Sequence, residues 1–431
     1  MTSGATSARV LLISANREEI NMPAWPLGLA CVAAAALRAG HDVRVLDLLK
    51  SEDVRAGLER AVDDFRPEVI GISVRNIDDQ RMGNTAFYLD DVRHIVSLCK
   101  ERSTAPVVLG GAGYSIFPQS ALDYLGADLG LPGEGEAAFP ELVSRIKAGS
   151  DPQGPYILHR AGAAPGGTRS FIASLDDYPL PAIDLPGLSG YGSGEFWLPV
   201  QTRRGCAMEC SYCSTPAIEG TRFRKRSPGE VARWLAGCAE AGMSRFYFVD
   251  NTFNLPGSYA LDLCGAVTAA GLGLSWRCIL YPWNMDGALA EAMARAGCVE
   301  VSIGSESGSG DMLRSMNKRF TVDDVRHCSD LMAAAGIRRM GFLLLGGPGE
   351  TMASAEESLC FADSLGLESL KITSGIRIYP GTEVARRAVE VGIISADDDL
   401  LLPRFYMAPG LEGPLREMVG KWKAARPNWI I

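Results

Sequence analysis

The residues best able to do chemistry are three cysteines in one short stretch, Cys206, Cys210 and Cys213, spaced C-x3-C-x2-C. Thiolates are soft ligands, and three within eight residues can converge on one inorganic cluster. A [4Fe–4S] cubane has four irons, so three cysteines leave one iron open to a substrate or cofactor. A structural zinc site closes its tetrahedron with a fourth Cys or His. None follows within twenty residues of Cys213.

The elements that must position this loop are legible on both sides of it. Leu198–Thr202 reads as a strand running straight into Arg203, Arg204 and Gly205 before the first cysteine. Downstream, apolar runs at Arg245–Asp250, Leu274–Ile279, Val299–Gly304, Met340–Leu345 and Leu370–Tyr379 alternate with stretches of helical period. With the strand before the cysteines that makes six βα units, which suits a partial (β/α)6 barrel. Active sites of such barrels gather at the carboxyl ends of the strands. Polar clusters stand there at Asp250-Asn251, Ser305–Gly308, Gly346–Glu350 and Arg377–Gly381. Cys278, in the third barrel strand, is a candidate to face the cavity, with Trp276, Tyr281 and Trp283 as candidate lining.

The N-terminal third has the same alternation. Strands are expected at Arg9–Ser14, Asp42–Asp47, Val69–Val74, Pro106–Gly110 and Asp128–Leu131, separated by helices near 27–39, 53–65, 87–100 and 136–147. Apolar strands covered on both faces by helices indicate a parallel, doubly wound sheet. Ligands of such sheets sit beyond the carboxyl ends of the strands. Ser73, Arg75 and Asn76, Gly110, Gly111 and Gly113, and Gly133-Glu134 lie at those ends. No G-x-G-x-x-G opens the first helix, which disfavours a dinucleotide.

Composition bounds the remaining classes. The chain has 431 residues, 47% of them hydrophobic and 22% charged, which is a folded chain of two or three domains. Its 42 basic against 51 acidic residues give a net charge of −9, which argues against nucleic acid or an anionic membrane as partner. Eleven cysteines with no secretion signal speak against a disulfide scaffold, so a cytoplasmic, reduced location is expected. The eight cysteines outside the cluster motif read as small buried hydrophobes. Gly- and Pro-rich composition over 151–194 predicts a linker. Domains are therefore expected at 1–150 and 195–390, with a short C-terminal extension over 391–431. The basic run Arg222–Arg226 reads as a solvated loop before a helix capped at Ser227.

Tyr212 stands immediately before the third cysteine, and the motif with it resembles the signature of the radical S-adenosylmethionine (SAM) superfamily. Ile303–Ser309 with Met316-Asn317-Lys318 resembles that superfamily's fourth-strand motif, and Gly346–Thr351 and Arg377–Thr382 resemble segments of its cobalamin-dependent branch. Pro26–Ala30 through Val43 and Asp47 resembles the opening of a cobalamin-binding domain. The resemblance covers about Arg9 to Pro409. It implies a flavodoxin- or Rossmann-like cobalamin-binding domain followed by a radical SAM barrel. Cys206, Cys210 and Cys213 would hold a [4Fe–4S] cluster whose open iron is chelated by SAM. Tyr212, Asp250, Glu306, Gly346, Gly347, Pro348, Arg377 and Tyr379 would contact SAM. Ser73, Arg75, Asn76, Gly110, Gly111, Gly113, Tyr114, Gly133 and Glu134 would contact cobalamin.

The resemblance has one departure. The D-x-H-x-x-G motif that supplies a cobalt ligand is missing, because the loop Asn16–Pro23 has no His and His41 lies after the first helix. Any bound cobalamin would be His-off, with Arg75 and Asn76 candidates for its lower face. The implied activity is methylation of an unactivated carbon of a small molecule in specialised metabolism, with a flavodoxin or ferredoxin as electron donor. Alternatives are a radical rearrangement, ring change or sulfur insertion and, from another class, a non-catalytic iron–sulfur or cobalamin-binding regulator.

Overall fold

The computed structural model describes residues 7–18, 24–160, 168–181, 184–185, 187–188, 191 and 196–431. The chain divides into two compact units, one of residues 1–79, 86–196 and 215–220, the other of 80–85, 197–214 and 221–431. In the first, β1 (Arg9–Ser14), β2 (Asp42–Asp47), β3 (Val69–Ser73), β4 (Val107–Gly110) and β5 (Leu129–Gly130) pair in parallel in the order 2-1-3-4-5. Helices cover both faces, so Val10, Leu11, Leu12 and Ile13 are all at most 1% exposed. The strand order reverses between β1 and β3, and the crevice outside their carboxyl ends is where such a sheet takes a ligand.

Two features differ from expectation. Helices Ala112–Ile116 and Pro118–Leu125 stand between β4 and β5, where no helix was expected. The expected linker also contributes to this unit: β6 (Leu158–His159) pairs antiparallel with β5, and Ser170 bridges to Gly133. Buried Leu158, Ile172 and Leu175 hold the segment in place although its glycines and prolines read as a spacer. The expected boundary at 150 therefore falls inside the first unit.

In the second unit β7 (Leu198–Val200), β8 (Arg203–Arg204), β9 (Arg224–Lys225), β10 (Arg245–Phe248), β11 (Ser275–Leu280), β12 (Cys298–Glu306), β13 (Arg338–Leu345), β14 (Ser369–Ser374), β15 (Ile376–Arg377), β16 (Phe405–Tyr406) and β17 (Trp429–Ile430) follow in chain order. Its main sheet is parallel throughout, ordered 17-14-13-12-11-10-7. This is the partial barrel with a seventh strand from the tail. The expected strand 370–379 breaks at Gly375 (φ +82°), after which β15 turns away to pair with β16. The tail is anchored by Trp422 stacked on Trp429, with the Arg426 guanidinium over both rings and 2.5 Å from Asp363.

Alternation along each strand sorts residues between the two faces of the sheet. Trp276, Cys278 and Leu280 are buried on the helix-covered face, where Trp276 packs on Phe248 and Phe253 and donates its indole N–H to Ala296 O at 2.7 Å. Cys278 sits there beside Cys298 and Cys264, so it does not face the cavity, and Trp276 is core. The half-buried alternates Tyr247, Arg277, Ile279, Ser302, Met340, Phe342 and Lys371 form the inner face. Toward the amino ends the Arg277 guanidinium lies 4.7 Å from the Trp197 ring centre and 4.8 Å from that of Tyr247, with Glu300 at 3.8 Å. That assembly lines the floor of the barrel.

Trp276→Ala removes a fully buried indole and its hydrogen bond. It should cost about 3–5 kcal/mol, read as a lower denaturation midpoint for the barrel unit.

Candidate active site: a cysteine loop held by a lysine

The cysteine loop begins where β8 and β9 form a small antiparallel ladder. Arg224 and Lys225 are therefore ladder residues and Arg226 is buried, which replaces the solvated loop expected over 222–226. Gly205 follows at φ +84°, and a Cβ there would lie 2.1 Å from Arg222 O, so only glycine fits. Cys206 is buried, Cys210 and Cys213 are half-buried, and the Cys213 N–H donates to Cys210 O at 3.1 Å. The donor set, three thiols within eight residues of one loop, is of the kind that suits a thiolate-bound iron–sulfur cluster with one iron left open.

The root of the loop is fixed by Asp250, which is fully buried just beyond β10. Its carboxylate accepts from Thr202 N (2.7 Å), Thr202 Oγ1 (2.6 Å) and Arg203 N (3.0 Å), and pairs with Arg203 Nε at 3.3 Å. Arg203, 1% exposed, also donates to Leu255 O and lies over the Phe253 and Tyr259 rings. A buried ion pair of this kind needs partners from the chain, and among the described residues only Arg203 Nη2 of this group goes without one.

The outer part of the loop is held by the turn after helix Gly310–Ser315. Met316 O accepts from Ser211 N (3.0 Å), Asn317 Nδ2 donates to Glu209 O (2.7 Å), and Arg319 donates to Ala207 O (3.0 Å). Between them Lys318, with a side chain 4% exposed, places Nζ 2.9 Å from the Tyr212 hydroxyl and 3.0 Å from Glu306 Oε1. Burial works against this ammonium, but Glu306, Tyr212 and Cys210 outweigh it and leave its pKa well above the ordinary lysine range. Burial likewise pushes the Cys210 thiol and the Tyr212 phenol up, while Lys318 draws both down. The loop thus carries a fixed positive charge beside one of its thiols.

Glu306 ends β12 after a register shift that begins at Ile303, and its φ of +59° is unusual for a residue with a side chain. The turn is locked from below: Ser307 Oγ lies 2.8 Å from Ser358 Oγ, and a Cβ on Gly308 would come within 2.5 Å of Phe361 Cβ. In the next turn, Glu350 accepts from Gly346 N (3.0 Å) and Ser354 Oγ (3.1 Å). Pro348 O accepts from Ser315 Oγ at 2.7 Å, which braces the helix leading to Lys318. The room a side chain would need at Gly346 and Gly347 is filled by Met407 and Ile376.

Comparison with known proteins bears on both units. The radical SAM superfamily matches residues 200–362 and the B12 binding domain matches residues 13–143. The chain belongs to the cobalamin-dependent radical SAM family. It is an enzyme of that family, whose cofactors are an iron–sulfur cluster, SAM and cobalamin. It is 28% identical over 385 residues to an uncharacterized methyltransferase of Pyrococcus horikoshii, covering 87% of this chain and 81% of that one. It is 24% identical over 456 residues to the cytidylyl-2-hydroxyethylphosphonate methyltransferase of Streptomyces wedmorensis, covering 91% and 84%. The fold matches that of the radical SAM methyltransferase TsrM from Kitasatospora setae, solved with cobalamin and a [4Fe–4S] cluster, at TM-score 0.85 and 22% identity over 99% of this chain and 93% of that one. A second structure of TsrM, with tryptophan substrate and a SAM analog, matches at TM-score 0.85 and 24% identity over 97% and 89%.

Within this family member the structure brings Cys210, Cys213, Tyr212 and Glu306 together around Lys318, while Pro348 braces the rim through Ser315. Asp250 and Arg377 have other tasks than the SAM contacts expected of them. Asp250 anchors the loop root, and Arg377 donates to the carbonyls of Ile378, Leu400 and Leu401 with its guanidinium over Tyr379. At the carboxyl edge of the first sheet, Ser73 ends β3 and Arg75 and Asn76 come just after it, and Asn76 Nδ2 donates to Asn16 Oδ1 at 3.3 Å. These groups are polar and cationic, which fits the amides and phosphate of a corrinoid, and no imidazole stands among Asn16, Arg17 and Glu18. The loop's remaining residues 19–23 lie outside the described residues.

Other expected cobalamin contacts serve the chain itself. Room for a side chain at Gly111 is filled by Val74 O and Ser73 Oγ, at Gly113 by Arg75 O and at Gly133 by Ser170. Glu134 accepts from Ile172 N at 2.7 Å. Tyr114 is 0% exposed and its hydroxyl lies against Gly130 without a hydrogen-bond partner. Gly110 alone among these glycines is nearly open, with Leu131 O at 3.7 Å. The sequence reading gave no site role of their own to Lys318, Asn317 and Arg319, and Tyr281, expected only as candidate lining, accepts through its hydroxyl from Arg319 N at 2.9 Å. The string Met316-Asn317-Lys318 was a signal, but nothing in it shows that a lysine twelve residues beyond Glu306 turns back upon it.

Two outcomes follow from this geometry. Asp250→Ala leaves the buried Arg203 charge uncompensated and should destabilise the barrel by about 3–5 kcal/mol, with iron uptake on reconstitution falling in parallel. Burial raises the Glu350 pKa against its hydrogen bonds from Gly346, Ser354 and Gly347. A raised carboxylate contributes stability that is complete below its unfolded pKa and is lost as pH rises through the folded value. Wild type should therefore lose stability relative to Glu350→Gln as pH climbs from the ordinary carboxylate range, in paired denaturation curves.

Proposed function

We propose that this enzyme methylates an unactivated carbon of a small molecule. In this reading Cys206, Cys210 and Cys213 hold the [4Fe–4S] cluster. Glu306, in its strained position above the inner face, receives the amino group of SAM, and Lys318 fixes that carboxylate and neutralises charge beside Cys210. The Gly346–Pro348 rim limits water access. Ser73, Arg75, Asn76 and the nearly open Gly110 would receive the corrinoid. Bound together, the cluster, SAM and cobalamin would supply one-electron and methyl-transfer chemistry.

The single observation that carries the reading is the Lys318–Glu306–Tyr212 junction at the cysteine loop. A cluster carrier needs three thiols, whereas this junction adds a carboxylate held ready at the rim of an open inner face. Similarity over most of the chain to two proteins named as methyltransferases supports methylation over rearrangement. A flavodoxin or ferredoxin is the expected electron donor.

The test is a product assay on anaerobically reconstituted protein, with cobalamin, SAM, reductant and candidate substrates. S-adenosylhomocysteine and 5′-deoxyadenosine should form together, and the substrate should gain one methyl group. Deoxyadenosine without S-adenosylhomocysteine would instead indicate rearrangement or sulfur chemistry, and failure to take up corrinoid would end the methylation reading. Alanine at each of the three cysteines should abolish both products. Lys318→Gln should retain the cluster absorbance while turnover falls by about 10²-fold or more, on the order of a lost preorganised charge.

A further inference from the structure

The segment Arg377–Thr382 stands out in the sequence, and the chemistry above gives it no task. It is held firmly. β15 pairs with β16, the Arg377 guanidinium donates to the carbonyls of Ile378, Leu400 and Leu401, and Ile378 N donates to Arg404 O at 2.8 Å. Ile376, Arg377 and Ile378 are all buried. Thr382 ends the turn that follows. Its hydroxyl donates to Tyr379 O at 2.7 Å and accepts from Ala385 N at 3.2 Å, so one side chain closes the turn behind it and caps helix Glu383–Glu390 ahead of it.

The first N–H groups of a helix find no partner within it. Here Thr382 takes that of Ala385, and that of Val384 crosses to the cysteine loop, where it donates to Ser211 O at 3.0 Å. Ser211 is buried and stands between Cys210 and Cys213, and its own N–H donates to Met316 O at 3.0 Å. The peptide groups on both sides of Ser211 are therefore gripped, one by the turn before Lys318 and one by this helix. The bonds to Ala207 O and Glu209 O come from the side chains of exposed Arg319 and Asn317, whereas Val384 is buried and its N–H is aimed by a capped helix. We propose that Thr382 is a positioning residue for the cysteine loop: through the helix it caps, it fixes the Ser211 peptide and with it the spacing of Cys210 and Cys213. The inference rests on the reading of the three cysteines as cluster ligands and on nothing about the substrate. It gives Arg377 and the turn after it an indirect part in the site, as the mount of that helix.

The test reads the cluster alone, without SAM, corrinoid or substrate. Wild type, Thr382→Val and Thr382→Ser are reconstituted anaerobically and reduced with dithionite for low-temperature EPR, and iron release to a ferrous chelator is timed on the same samples. Valine matches threonine in shape and removes both hydroxyl bonds. Thr382→Val should split the cluster signal into more than one species and speed iron release about fivefold, the scale of one backbone hydrogen bond. Thr382→Ser, which keeps the hydroxyl, should behave as wild type. A second variant leaves the cap intact and deletes only the crossing bond: α-hydroxyisovalerate in place of valine at position 384 turns that peptide into an ester without an N–H. It should reproduce the split signal and the faster release. A wild-type signal and release rate in the ester variant would overturn the proposal, as would a change in Thr382→Val that serine does not restore. Wild type that takes up no cluster would end the cluster reading and the proposal with it, whereas a loaded wild type matched by its variants would end the proposal alone.

Discussion

A buried ammonium cannot be left alone in a protein interior, and the active end of the barrel is arranged around that constraint. Lys318 is removed from water by Tyr281, Phe320 and Tyr212, whose ring centres lie 5.1–5.7 Å from its nitrogen. Its charge is answered by Glu306 and shared with the Tyr212 hydroxyl and Cys210. Those partners come from the strand end and from the cysteine loop, so meeting the lysine's electrostatic requirement also sets the relation between the two. Met316, Asn317 and Arg319 add backbone bonds to the same loop. The loop is thereby ordered by contacts within the protein.

Beneath it the Asp250–Arg203 pair does for the loop root what Lys318 does for the loop tip. Both are charges held inside by partners from the chain, and each joins segments far apart in sequence. This gives the loop two fixed points and leaves the three thiols between them. The glycines around the rim have a related function. Gly205, Gly308 and Gly346 allow backbone or side chains from other elements to approach where a Cβ would collide. They bring the turns close enough to brace one another.

Much of this was legible in the sequence because the signals were local. Periodicity placed the strands of both sheets, since apolar runs bounded by turns carry their own register. The cysteine spacing pointed to the candidate ligands, and the resemblance marked Glu306. What the sequence hid was long-range pairing of charge. Asp250 and Arg377 stand where cofactor contacts belong and are polar, yet only the folded chain shows that Thr202 and Arg203, or the carbonyls of Leu400 and Leu401, have claimed them. Trp276 and Cys278 share one face of β11 with Leu280, and alternation alone cannot tell which face of a doubly covered sheet is inner. The segment 151–194 misleads for another reason, because its composition is that of a spacer while a few buried apolar side chains fasten it to the first sheet.

The left-handed backbone at Glu306 bears on how this protein responds to change. Glycine or asparagine would occupy that conformation more readily, so the glutamate is held there at some cost to the fold. Selection for thermostability alone would drift toward those residues. Only selection on turnover would retain the carboxylate, so an engineered lineage that gains heat resistance at this position should lose its chemistry in the same step.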